Sequence, residues 1–200
     1  VLTRLRALGQ RLEPHSQVFF FRLEAGEPAS AEQLKTLETK LGYTIDPALR
    51  AAWSQSASVD LEWFVKGNGC KMAGIASHSA PSGQFKMLTP QESESEWSFL
   101  SALSGQDGAA PRLPFSKVSP NGELIVLDHD SGAVQLVILD SELTTIELSA
   151  SLDAWFNERI GTYFEENSLR HPERIEPGVE VTLEQMAAQE FAWPPRKIGW

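Results

Sequence analysis

Apolar residues at the start of the chain first recur with helical spacing and then gather in a short run. Leu2, Leu5 and Leu8 lie on one face of a helix, which predicts a short helix through about residue 12. The segment 18–23 (VFFFRL) is short and rich in aromatic residues, so it predicts a strand. The chain is therefore expected to open with a helix followed by a strand.

Two helices with their own start and stop residues follow. Ser30 and Gln33 have the spacing of a capping box, and Gly42 stands where a left-handed C-terminal cap is needed. Asp46 is a typical N-cap and Pro47 a typical first helical residue. Apolar spacing predicts the buried faces, which are Leu34, Leu37 and Leu41 in one helix and Leu49, Ala52 and Trp53 in the other.

The middle of the chain alternates between strand patterns and one helix pattern. Strands are predicted at 59–63, at 70–77 after a Gly-Asn-Gly turn, and at 85–88. Residues 90–103 predict a helix with acids in its first turns and an inner face of Trp97, Leu100 and Leu103. Residues 104–114, rich in Gly and Pro, are expected to form a loop.

The last third is expected to contain a hairpin, an edge strand and further helices. Apolar runs at 123–128 and 133–139 flank His-Asp-Ser-Gly, which predicts a hairpin. An edge strand is predicted at 144–148, and Ser151 is expected to cap a helix reaching about Glu166. A last helix is predicted at 182–191, and the Trp193 and Trp200 side chains beyond it are expected to pack on something or to mark a contact surface.

Length and composition indicate one domain with a small extension. We expect an N-terminal helix and strand in 1–29, a core domain in 30–166, and a C-terminal extension in 167–200 that packs on the core. The absence of any apolar run of membrane-spanning length, the lack of a signal peptide pattern and the single Cys70 together favour a cytoplasmic protein.

Charge is unevenly distributed along the chain. The net charge is −10; residues 1–100 carry 10 basic and 11 acidic side chains, and residues 101–200 carry 7 and 16. An acidic half disfavours nucleic acid and anionic membranes and attracts basic partner proteins. The alternative is that the acidity serves only solubility.

No motif for catalysis, cofactors or metals emerges. Cys70 with His78 lacks the setting of an activated nucleophile, and an inert cysteine in or beside the sheet is the simpler interpretation. Asp128-His129-Asp130 offers metal-ligand types, but Asp-x-Asp-Ser-Gly is ordinary turn chemistry. Since nucleotide-binding glycine motifs and basic aromatic stripes are also missing, we expect no enzyme, no cofactor, no metal and no nucleic-acid partner.

The order of these pieces over residues 30–165 resembles the SUKH superfamily, which includes fungal cell-wall assembly regulators and bacterial toxin-immunity proteins. The matching segments are Leu37-Glu38, Leu41-Gly42-Tyr43, Asp46-Pro47-Ala48-Leu49-Arg50 with Trp53, Leu61-Glu62-Trp63, Leu113-Pro114-Phe115, Gly122 to Asp128, and Ser151 to Phe156.

The resemblance implies an α+β fold in which helices pack around a twisted, mainly antiparallel sheet. It also implies a non-enzymatic immunity protein that binds and neutralises a cognate toxin, such as a nuclease or deaminase, of a polymorphic toxin system. The alternative is a regulatory scaffold module like the fungal members. The expected partner contacts are Glu92, Glu94, Glu96, Trp97, Asp128, Asp130, Glu142, Glu165 and Glu166.

Overall fold

A computed structural model describes residues 1–12, 18–65, 82–103, 111–118, 123–139, 143–161 and 164. Within these ranges the order of elements is α1 (Leu2–Leu12), β1 (Val18–Ala25), α2 (Ala31–Leu41), α3 (Pro47–Gln55), β2 (Val59–Val65), β3 (Ser82–Met87), α4 (Pro90–Leu103), β4 (Arg112–Lys117), β5 (Glu123–Asp128), β6 (Val134–Ile138), β7 (Thr144–Ser149) and α5 (Leu152–Gly161).

The seven strands form one antiparallel sheet whose strand order follows the chain from β1 to β7. Neighbouring strands in this sheet are also consecutive in the chain, with helices α2 and α3 between β1 and β2 and helix α4 between β3 and β4. The helices lie around this sheet, which confirms the α+β class. The predicted return strand at 70–77, the helix at 182–191, Trp193 and Trp200 lie outside the described residues.

The residues group into two compact units. The first contains the described residues of Val1–Leu2, Glu24–Asp60 and Phe85–Glu158, and the second contains the described residues of Thr3–Leu23, of Leu61–Gln84 and from Arg159 onward. The boundaries expected after residues 29 and 166 stay predictions.

Helices α2 and α3 of the first unit start and stop as their sequence predicts. Ser30 Oγ accepts a hydrogen bond from the Gln33 N–H at 3.1 Å, and Gln33 Oε1 accepts one from the Ser30 N–H at 2.7 Å. Gly42 ends α2 with φ 78°, and the Asp46 carboxylate accepts from the Ala48 N–H at 2.8 Å at the start of α3. These bonds satisfy backbone groups that a helix leaves unpaired at its ends.

The core of the first unit contains an aliphatic cluster and an aromatic cluster. Leu100 on α4 packs with Leu124 and Val126 on β5 and Val137 on β6, all at most 5% exposed. The buried aromatic cluster has ring centroids 5.0 to 6.5 Å apart and consists of Phe85, Phe115, Trp155 and Phe156. In addition, the buried Trp53 indole donates to the Leu88 carbonyl at 2.8 Å.

Helix α4 has the predicted bounds, but the prediction of its inner face is wrong at one end. Leu100 is buried, whereas Leu103 is 49% exposed. Ser93 lies in the buried stripe instead, where its hydroxyl donates to the Pro114 carbonyl. Because this hydrogen bond satisfies the hydroxyl, the helix buries a polar residue that apolar spacing does not reveal.

The loop predicted at 104–114 is wrong at its end, because Arg112–Lys117 is strand β4. Pro114 lies inside this strand, and the register with β5 shifts between Pro114 and Ser116. Proline lacks an N–H for the ladder, and an irregular register is one of the places where a strand tolerates it.

Helix α5 begins after Ser151, whose hydroxyl accepts from the Ala154 N–H at 3.2 Å, as predicted. It ends at Gly161 rather than near Glu166. Phe164 then has φ 56°, a left-handed conformation that an α-helix does not contain.

The second unit is described in fewer residues. Leu5, Leu8 and Leu12 are buried along α1, and a Cβ at Gly9 would lie 2.8 Å from the Phe21 ring, so helix and strand are in close contact there. On neighbouring strands, the Arg22 guanidinium pairs with the Glu62 carboxylate at 3.0 Å.

Candidate functional site

The connection between α2 and α3 is a fixed corner. The Glu38 carboxylate accepts from the Ile45 N–H at 3.2 Å and also pairs with the Arg50 guanidinium. Because Gly42 turns the chain and Ile45 is held in place, Tyr43 between them projects from a defined backbone.

The turn between β5 and β6 is held by its own polar groups. Asp128 Oδ1 accepts from the Ser131 N–H at 2.9 Å and from the Ser131 hydroxyl at 2.8 Å. Gly132, at φ 73°, donates its N–H to the Asp128 carbonyl at 2.9 Å. The hairpin and the turn chemistry predicted for His-Asp-Ser-Gly are thus confirmed.

The corner and the turn meet through two rings. The Tyr43 and His129 rings are stacked, with centroids 4.3 Å and planes 23° apart. The backbone N–H of His129 also donates to the Pro111 carbonyl at 2.6 Å, which holds the backbone that carries the ring. Tyr43 and His129 were not among the expected site residues, although Tyr43 belongs to the glycine-tyrosine pair in the family resemblance.

Beside these rings is a small cleft of about 160 Å³. Buried Ile45, Leu113 and Leu127 give it apolar walls, while Asp46 and Asp128 add carboxylates. The cleft therefore combines an apolar interior with negative charge, which is a typical composition for a site that orients a ligand through a few polar groups.

Electrostatics at the cleft follow from partial burial and from the carboxylates of the turn. Burial, and next the charges of Asp128 and Asp130, raise the pKa of Tyr43 from 10.0 to about 12. Its hydroxyl is buried and has no hydrogen-bond partner in the described part of the chain. The phenol therefore stays neutral over the physiological pH range.

The pKa of Asp128 is shifted in the other direction. Partial burial acts to raise it, but the hydrogen bonds from Ser131, the charge of Arg112 and the Asp130 N–H together lower it below its usual value. The nearest Arg112 nitrogen lies 3.9 Å from Asp128 Oδ2, a long ion pair. Asp128 is thus firmly ionised at neutral pH.

The expected contact residues on α4 are engaged within the protein. Glu94 pairs with Lys40 at 2.6 Å, and Glu96 pairs with Lys117 at 2.9 Å. Glu92 accepts from the Thr89 N–H at 2.8 Å in a second capping box and lies 3.8 Å from Lys86. The Thr-x-x-Glu pattern signals this cap in the sequence. Local lysines therefore offset the negative charge of α4.

Among the remaining expected contacts, Trp97 is half-buried on α4, and Asp130 is exposed on the β5–β6 turn. Phe99 and Leu103, not Trp97, are the large exposed apolar residues of α4, at 48% and 49%. Glu142, Glu165 and Glu166 lie outside the described residues. Asp128 and Asp130 thus lie together at the β5–β6 turn, whereas Glu92, Glu94 and Glu96 lie on helix α4.

Other kinds of site receive no support from the described residues. In these ranges no three His, Cys, Asp or Glu side chains are grouped closely enough to hold a metal ion. None of the helices there is long and apolar enough to cross a membrane. Comparison with models of known protein families gives no match, and comparison with curated proteins gives no significant match.

Proposed function

We propose that this protein is a non-catalytic binding module of the SUKH type that binds and blocks a basic protein, in the manner of an immunity protein with its cognate toxin. The observation that carries the proposal is the acidic cleft at the β5–β6 turn. There Asp130 is exposed and has no ion pair with any described residue, and Asp128 and Asp46 line the adjoining cleft.

The distribution of charge supports this location over helix α4. The glutamates of α4 lie next to Lys40, Lys86 and Lys117, so a basic partner would gain little net attraction there. At the turn, Asp128 lies 3.9 Å from Arg112 and Asp130 has no ion pair with a described residue, while Asp46 at the start of α3 lines the adjoining cleft. A basic surface would thus be attracted to the turn.

The proposed mechanism is occlusion. An enzyme that acts on nucleic acid must attract a polyanion, so its active site is basic. A rigid acidic surface can cover such a site, and charge complementarity accelerates the encounter. Both sides of the cleft are held by internal hydrogen bonds, which limits the ordering cost on binding. The proposal includes a cytoplasmic location, where such a toxin would act.

The test is co-expression in bacterial cells with the product of the neighbouring gene. Protection of growth by the native protein is expected, together with a complex that isothermal titration calorimetry detects. Asp130→Lys should abolish protection, because a reversed charge would repel the basic surface. Glu27→Lys, which makes the same charge change at an exposed loop position, is the matched control and should still protect.

Two outcomes would overturn the proposal. The first is unchanged killing in the presence of the native protein. The second is equal loss of protection by Asp130→Lys and Glu27→Lys, which would show dependence on net charge alone. Recovery of several endogenous partners without any toxin nearby would favour the scaffold alternative.

A further inference from the structure

We infer that the cleft beside Tyr43 and His129 receives a single arginine side chain of the partner. This inference rests on the proposed function and names the chemistry of the contact. The apolar walls of the cleft, the stacked rings beside it and the carboxylates around it support this contact.

The walls of the cleft suit the aliphatic part of a long basic side chain. Ile45, Leu113 and Leu127 line it beside the exposed Pro47. Arginine and lysine bury their methylene stems along apolar surfaces while keeping the charged head near polar groups. A volume of about 160 Å³ restricts the guest to about one side chain.

The charged groups around the cleft favour a cation over an anion. Asp46 and Asp128 line it, and Asp130 is exposed on the adjoining β5–β6 turn. Arg112 is the opposing charge, 3.9 Å from Asp128 Oδ2. Three carboxylates against one guanidinium leave an excess of negative charge, which a second guanidinium would offset.

The stacked rings favour arginine over lysine. The Tyr43 and His129 rings are stacked 23° from parallel, and both residues line the cleft. A guanidinium is planar, stacks on aromatic faces and donates in a fork that fits carboxylates, whereas an ammonium is a compact, strongly hydrated charge. Cation–π contacts of this kind are made more often by arginine.

The experiment is an NMR titration of the full chain with N-acetyl-L-arginine methylamide, observed at the Tyr43 and His129 ring resonances. Saturable shifts are expected for this probe. N-acetyl-L-lysine methylamide should bind about tenfold more weakly, because it lacks the planar group. Asp130→Asn should weaken binding of the arginine probe several-fold, since a charged contact is lost, and Glu27→Gln should leave it unchanged.

A variant that fills the cleft gives an independent test. Thr44 lines the cleft on its exposed side, so Thr44→Phe should occupy the space at little cost to folding, which circular dichroism would verify. It should abolish the shifts caused by the arginine probe. Absence of shifts in the native protein, or equal binding of both probes, would overturn the inference. If calorimetry still showed partner binding sensitive to Asp130→Lys, the proposed function would stand without the arginine contact.

Discussion

The phenol ring of Tyr43 lies against the imidazole ring of His129, with centroids 4.3 Å apart, although the two residues belong to different halves of the chain. One ring comes from the corner that follows α2 and the other from the turn between β5 and β6. The stack therefore places the acidic turn next to the helical corner and gives the cleft its aromatic side.

The ionisation of Tyr43 is the first prediction. Its pKa in the folded protein is about 12, raised by burial and next by Asp128 and Asp130. Because this value exceeds the ordinary one, its contribution to stability is fully present below pH 10 and is lost as pH rises through 12. Absorbance titration near 295 nm should show one tyrosine ionising near pH 12, and Tyr43→Phe should remove that transition.

Asp130→Asn provides the control for the electrostatic part of this shift. Removing one nearby negative charge should lower the pKa of Tyr43 towards 10.0 without abolishing the shift, since burial is the largest cause. The protein has one other tyrosine, Tyr163, so the two transitions can be assigned by difference. A Tyr43 transition near pH 10 in the native protein would contradict the described environment.

Acid stability is the second prediction, and it concerns Asp128. Its lowered pKa means that the carboxylate stabilises the folded state above pH 3.8, and that this contribution is lost as pH falls through the folded value. Asp128→Asn keeps an acceptor for Ser131 but removes the charge, so its free energy of unfolding should fall less between pH 5 and pH 2 than that of the native protein. Chemical denaturation at several pH values measures this, and an equal decline in both proteins would contradict it.

Helix ends and strand faces that depend on residues close together in the sequence could be predicted. The caps of α2 and α3 depend on Ser30, Gln33, Gly42 and Asp46, each of which acts on backbone groups two to four positions away. Strand β2 alternates with a period of two, and its buried residues follow that pattern at Val59, Leu61 and Trp63. Local hydrogen bonding and periodicity fixed these elements.

Strand pairings, ion pairs and ring contacts between residues far apart in the sequence could not be predicted. Strand β4 contains Pro114, which local rules exclude from a strand, and its pairing with β5 provides the compensation. Likewise, no sequence pattern indicates that Lys40 and Lys117 lie beside the α4 glutamates, or that Tyr43 meets His129. The sequence thus predicted Asp128 and Asp130 as site residues, but it did not predict the stacked pair of Tyr43 and His129.

A matched pair of glycines gives the third prediction. An added Cβ would meet no atom within 4 Å at either Gly42 or Gly161, but only Gly42 has a positive φ. Gly42→Ala should therefore destabilise the protein by about 1–2 kcal/mol through backbone strain alone. Gly161→Ala should be neutral or stabilise it by up to about 1 kcal/mol. Urea denaturation of both variants measures the difference, and equal effects would show that φ at Gly42 does not matter.

Two adjacent residues of α4 give the fourth prediction. Leu100 is buried against Leu124, Val126 and Val137, whereas Phe99 is 48% exposed. Leu100→Ala should lower the free energy of unfolding by about 2–5 kcal/mol, because it leaves a cavity in the cluster. Phe99→Ala should change it by no more than about 0.5 kcal/mol in either direction. Both variants substitute alanine in one helix, so helix propensity contributes little to the contrast. A similar loss of unfolding free energy in both variants would contradict the structure, because it would mean that α4 turns a different face towards the sheet.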